Sequence, residues 1–366
     1  MKDIRKYLFL VVLGILMICC GCVLNKKEIA STRNIVSFDR LFKKEKEYVL
    51  RLPEIPENGV KPTKYVFCGI NSKGEFVMME PRGGFVFSQD GKLLTTLGTK
   101  GKKLGQFIYA AKPTIGPADK IYISDTGTNR ISIFNAKGEL IDYFNPIAGY
   151  IPLSPLVVDK KGNIYISGSM KEDEKYYTIS KYDSAFEYIS SFCTISEKEA
   201  RKAGSVNTFI ALSKNAYIYA IQNGSYNIKK YSLEGALIEE FGDAPKWYVS
   251  PPETLPQAFT DTTIMKTLTS AQSDSISNLW ISSWTLTIDL EIALDKFIIV
   301  EYGNFITGKF FYQIYTTKGK SLIGTDKTSQ YYLLTTDKEG FIYFLDWDYM
   351  NTDERGYKII KCSLNL

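Results

Sequence analysis

Two kinds of tight turn recur along this chain, and their spacing constrains its fold more than any other feature. The first kind precedes a short apolar strand of the form x-Ile-Tyr-Ile. It reads Ser72-Lys73-Gly74, Pro117-Ala118-Asp119, Lys160-Lys161-Gly162, Lys214-Asn215-Ala216 and Lys338-Glu339-Gly340. The second joins two later strands, at Gln89-Asp90-Gly91-Lys92, Ala136-Lys137-Gly138-Glu139, Leu233-Glu234-Gly235-Ala236 and Thr317-Lys318-Gly319-Lys320, with a degenerate copy at Asp183-Ser184-Ala185-Phe186. Glycine suits these points because hairpin turns need positive φ, which costs a residue with a side chain energy. Gly91 to Gly138 is 47 residues, Gly138 to Ala185 is 47, Ala185 to Gly235 is 50 and Gly235 to Gly319 is 84, so one unit carries an insertion of about 35 residues.

A period near 47 residues with four strands is that of a propeller blade. The 14% aromatic content, with 25 Tyr and 21 Phe, also favours strands. Six units follow, at about 65–98, 105–145, 151–193, 205–242, 275–325 and 328–366, with an insertion at 243–274. The sixth ends where its last hairpin turn should begin, while Glu47-Tyr48-Val49-Leu50-Arg51-Leu52 stands unpaired ahead of the first. The expected fold is therefore all-β, a six-bladed β-propeller over 47–366, closed by an N-terminal strand that pairs with the last blade and removes an exposed edge.

Leu104-Gly105-Gln106-Phe107, followed by Ile121-Tyr122-Ile123-Ser124-Asp125 and Thr128-Asn129-Arg130-Ile131-Ser132-Ile133-Phe134, resembles an NHL repeat. The histidine that this family often has before the arginine is replaced by Asn129. Over about 320 residues the chain is similar to the six-bladed propeller lipoproteins of bacterial envelopes, a resemblance that implies a fold and a location but no single activity. In NHL-type blades a pair such as Asp125 and Arg130 ties a strand end to its neighbour, so a structural role is expected for it.

The N-terminus has the layout of an export signal. Lys2, Arg5 and Lys6 precede the uncharged run Tyr7 to Ile18, and small and sulfur residues follow. The end of the run resembles a bacterial lipoprotein signal, with Cys22 after Gly21 as the lipidated residue and Cys20 as the alternative; Cys19 stands where that family prefers Leu. Residues 1–22 are then signal and lipidated cysteine, and 23–46 a tether. The competing reading is an uncleaved anchor over Leu8 to Leu24, near the lower length limit for crossing a bilayer. Either way the propeller sits outside the cytoplasm, in a bacterial cell envelope, facing the periplasm or the exterior. Cys68, Cys193 and Cys362 are odd in number, so core packing is expected of them rather than a disulfide framework.

Composition narrows the function. The chain has no histidine, which removes Ser-His-Asp and Cys-His catalysis and imidazole metal sites together. A formal net charge of +5, about +3 after the signal, with interspersed Lys and Glu, speaks against a nucleic-acid partner. The expected function is a membrane-tethered extracytoplasmic binding or sensing module, a monomer held by its N-terminal lipid, whose loops recognise an envelope protein or small ligand. No catalytic residue, metal ligand or cofactor is assigned. The alternative is a calcium-dependent hydrolase or lactonase-like propeller, its Ca²⁺ held by converging loop carboxylates. Candidate contact residues are Trp247 and Tyr248 in the insertion and the loop acids Asp173, Asp348 and Asp353. For the two aromatics, capping the barrel competes closely with contacting a partner.

Overall fold

Apolar strands alternating with left-handed turn residues build the same antiparallel meander six times in the computed structural model of the chain. The structure describes residues 34–52, 66–81, 83–147, 156–172, 175–196, 207–252, 256, 262–304, 308–325, 328–352 and 355–366. From the inner strand outward, blade 1 is Phe67–Ile70, Phe76–Glu80, Gly83–Phe87 and Leu93–Leu97. Blade 2 is Thr114–Ile115, Ile121–Asp125, Arg130–Phe134 and Leu140–Phe144. Blade 3 is Val157–Val158, Ile164–Glu172, Lys175–Tyr182 and Tyr188–Ile195. Blade 4 is Thr208–Leu212, Tyr217–Gln222, Ile228–Ser232 and Leu237–Phe241. Blade 5 has Leu286–Ala293, Phe297–Asn304, Lys309–Thr316 and Ser321–Thr325. Blade 6 has Tyr331–Thr336, Ile342–Asp346, Gly356–Leu364 and, outermost, the N-terminal strand Phe42–Arg51.

Each inner strand touches that of the next blade, and the sixth touches the first, so the ring is closed. Second strands such as Ile121–Asp125 are buried on both faces because neighbouring blades cover both, whereas outer strands such as Leu140–Phe144 are largely exposed. The first-kind and second-kind turns lie on one face of the ring, the turn face. Connections between second and third strands, and between blades, lie on the other, the loop face.

In blades 3 and 4 the tyrosine of the x-Ile-Tyr-Ile motif fastens one blade to the next. Tyr165 donates to the Leu233 carbonyl in the outer turn of blade 4 at 3.3 Å, and Tyr219 donates to the Thr317 carbonyl in that of blade 5 at 3.0 Å. Lysines of the third strands, Lys181 and Lys230, lie over the same rings at 5.6 and 5.7 Å. Removing one such hydroxyl costs about 1 kcal/mol. Tyr165→Phe and Tyr219→Phe should therefore each lower the urea midpoint modestly, and their effects should add because the two junctions share no contact.

Closure follows the expected pairing: Phe42–Arg51 runs antiparallel to Gly356–Leu364, with Tyr48 opposite Ile359 and Arg51 opposite Gly356. The strand begins earlier than expected, because Phe42 is buried although the Lys/Glu run after it reads as a tether. Part of the segment assigned as tether is likewise folded. Asn34–Val36 pairs in parallel with the outer strand of blade 5, and α1, Phe38–Leu41, buries Phe38 and Leu41 between blades 5 and 6. The insertion also differs from expectation. Residues assigned to the start of blade 5 form α3, Ser270–Ser282, which follows the shorter α2, Thr262–Thr267. A capping box between Thr269 and Gln272 starts α3, a local signal that outweighs the blade count. Cys68, Cys193 and Cys362 are free and buried.

Candidate functional site

The axis of a propeller is lined by its inner strands, and here it is crossed by one ion cluster. Alternation along Leu286–Ala293 places Asp289 and Glu291 on one face of the innermost strand of blade 5. Lys112 enters from the segment preceding Thr114–Ile115 in blade 2, on the opposite side of the six-membered ring. Its ammonium donates to Asp289 Oδ2 at 2.5 Å and to Glu291 Oε1. Thr336, at the end of the inner strand of blade 6, donates to Glu291 Oε2 at 3.1 Å. Lys112 is only 6% exposed and Asp289 3%.

Burial alone would depress the Lys112 ammonium, yet the two carboxylates outweigh it and hold its pKa above the ordinary lysine value. Asp289 is pushed up to about 6, by burial first and by the neighbouring Glu291 charge, with Lys112 opposing both. The lysine stays charged and the carboxylates compete for it, so the arrangement acts as an internal ion bridge rather than as a nucleophile or base. Among the described residues, no group of three or more His, Cys, Asp or Glu is arranged to hold a metal.

Beside the bridge lies a further acid. Glu301 is fully buried opposite Asp289 in the ladder, and burial pushes its carboxyl well above the ordinary value. Sequence reasoning missed all four groups. The available signal was two acids at period two within the apolar run Thr287-Ile288-Asp289-Leu290-Glu291-Ile292, together with a lysine between Ala111 and Pro113.

The residues singled out from the sequence do not converge. Trp247 stacks on Phe311 at 4.4 Å and 18°, and its indole donates to the Thr325 carbonyl at 2.9 Å. Tyr248 donates to the Gly224 carbonyl and meets Tyr226 edge-on at 5.1 Å. Both side chains fasten the insertion onto blades 4 and 5, the capping arrangement. Asp348 is exposed on the loop face, beside the turn Tyr349–Asn351. Asp173, Asp353, Cys20 and Cys22 lie outside the described residues.

Asp125 is buried and accepts from the backbone of Ile108, Tyr109 and Gly127 and from the Thr128 hydroxyl, at 2.8 to 3.1 Å. Arg130 donates to the carbonyls of Lys102, Lys103 and Gln106. Together they pin the connection between blades 1 and 2. Glu80 and Asp346 stand at the same distance from their turns and make similar ties, to the Tyr357 hydroxyl and to the Tyr349 amide. Such repetition supports the structural role expected of Asp125.

The two faces differ in what they expose. On the turn face, neighbouring turns tie one another. Asp119 accepts from the Ser72 amide at 2.9 Å and its hydroxyl at 2.5 Å, Asp295 accepts from the Lys214 amide at 2.8 Å, and Lys338 donates to the Ser72 carbonyl at 3.2 Å. A cleft of about 470 Å³ lies there, lined by Ser72, Lys73, Asp119, Lys338 and Tyr343 among others. On the loop face, Leu104, Tyr109, Ile147, Val249 and Leu279 are each 53–70% exposed, whereas on the turn face Leu294 and Leu366 stand exposed beside the turns.

No protein-family model matches the chain, and no curated protein does. Solved structures do share its fold. A Bacteroides fragilis protein put forward as exported superposes with a TM-score of 0.59 at 11% identity, over 91% of this chain and 98% of that one. A DUF4221-family member from Bacteroides vulgatus gives 0.57 at 10%, over 88% and 97%. A gluconolactonase from Xanthomonas campestris gives 0.50 at 11%, over 87% and 98%. At these identities the likeness is one of fold.

Proposed function

We propose that this chain is an exported binding propeller, lipid-tethered through Cys22 (or Cys20) in a bacterial envelope, that recognises an envelope protein through its loop face. One observation carries the choice of face: large apolar side chains stand exposed on the loop connections, while the turn face is knitted together by its own polar groups. Exposed apolar groups rimmed by polar ones are the usual mark of a protein contact surface. Export agrees with the N-terminal signal layout and with the description of the Bacteroides fragilis neighbour. A calcium-dependent hydrolase would need carboxylates free to ligate, and on this axis Lys112 engages both Asp289 and Glu291.

A photo-crosslinking residue placed at Tyr109 or Ile147 of the full-length protein in intact cells should give one defined adduct, and the same residue at Lys73 or Lys338 none. Equal labelling from both faces, or none from the loop face, would refute the reading. Radiolabelled palmitate incorporation abolished by Cys22→Ala tests the tether, with Cys20→Ala distinguishing the alternative.

A further inference from the structure

We propose that Glu301 is carried as a neutral acid in the folded ring, and that its proton keeps blade 6 seated on blade 5, so that alkaline titration loosens this one junction. Its Oε1 accepts from the Leu333 amide on the inner strand of blade 6 and from the Tyr312 hydroxyl on the third strand of blade 5, each at 2.7 Å. Its Oε2 is buried and has no hydrogen-bond partner among the described residues. The ladder of blade 6 is irregular between Leu333 and Thr335, so the carboxyl group supplies an acceptor where strand pairing is interrupted.

The ionisable groups facing this carboxyl come from four elements. They are Asp289 on the inner strand of blade 5, Tyr312 on its third strand, Tyr332 on the inner strand of blade 6, and Lys112 from blade 2. Lys112 is the one cation among them, and both neighbouring carboxylates already hold it. A charge on Glu301 would lie beside Asp289 with no cation of its own and one oxygen unsolvated, the costly form of burial. The junction also carries the N-terminal strap. Phe38 of α1 packs on Tyr312 at 5.6 Å and on Tyr331 at 4.9 Å, so movement at Leu333 reaches the segment that leads toward the tether.

Because Glu301 holds its proton more tightly folded than unfolded, its stabilising contribution is complete below the ordinary glutamate value. It is lost as pH rises toward the folded value. Urea unfolding of the full chain above neutral pH should show the unfolding constant rising with pH, with about a tenfold contribution per pH unit from the one proton Glu301 releases, added to that of the buried thiols Cys68 and Cys362. Asp289, raised only to about 6, is already ionised there and adds no slope. Glu301→Gln should lower the slope by that one proton, and an equal slope in that variant overturns the proposal. Infrared spectra of the wild-type protein at neutral pH give a second readout that needs no variant. A buried un-ionised carboxylic acid band, shifting in heavy water, is expected, and its absence is equally fatal.

Discussion

Replacing Lys112 by methionine is expected to destabilise the ring by about 3–5 kcal/mol, the cost of leaving buried carboxylates without their cation. The methionine fills nearly the same volume, so the loss is electrostatic rather than a cavity effect. The deficit should depend on pH with a definite sign. In the wild-type protein Asp289 has a raised folded pKa, near 6, so its contribution to stability is complete below its unfolded value and declines as pH rises through about 6. Without Lys112 the carboxyls are raised further, and the variant should approach wild-type stability as the solution is acidified. Asp289→Asn is expected to be mild at neutral pH, because Glu291 still neutralises the lysine and a poorly solvated charge is removed. The double variant Lys112→Met/Asp289→Asn should recover part of the loss. Urea midpoints of all four proteins, assembled as a double-mutant cycle, check this. Additive losses, or a deficit independent of pH, would show that Lys112 acts by packing alone.

The blade count and the closing strand were legible in the sequence, and the axial cluster was not, for one physical reason. Turn chemistry is local: Gly74, Gly162 and Gly340 adopt φ between 76 and 87°, and each leaves its mark in a few consecutive residues. Strand closure was also legible, because an apolar run without a partner and a sheet short of a strand are both visible along the chain. Lys112 and Asp289, by contrast, meet across 177 positions of sequence, and nothing near either residue announces the other. The run Lys43 to Lys46 misled in the opposite direction, since an outermost strand exposes its side chains and reads as a solvated tether while its backbone pairs with Gly356–Leu364, apart from a bulge at Glu45. The start of α3 was legible in principle, as Thr269 and Gln272 at capping-box spacing within the insertion, but the count of blade periods had claimed the helix from residue 275 onward for blade 5. Trp247 and Tyr248 show the limit for surface aromatics. Composition marks them as potential contacts, and only the positions of Phe311 and Gly224 show where the rings rest.

Shortening the chain from its N-terminus should have a graded and then an abrupt effect. A protein beginning at Asn34 retains every described pairing and is expected to fold with wild-type stability. One beginning at Phe42 loses α1 and the parallel strand, and with them the burial of Phe38 and Leu41; removing one large buried side chain typically costs about 2–5 kcal/mol. A protein beginning at Pro53 also loses Phe42 and Leu50, both fully buried, and leaves the backbone of Gly356–Leu364 as an open edge of apolar residues. Such an edge is a template for pairing with other chains, so this form is expected in aggregates rather than as a stable monomer. Adding a peptide covering residues 34–52 during refolding should restore soluble monomer if the strand acts by completing the sixth sheet. Size-exclusion chromatography and far-UV circular dichroism distinguish the outcomes, and a soluble, folded Pro53 form without peptide would mean that the ring closes without its first strand. Because that strand pairs with the last one, the two ends of the chain must meet before the sheet is complete. Folding should therefore include a slow step set by this long-range closure, and Leu50→Ala should slow refolding more than it speeds unfolding.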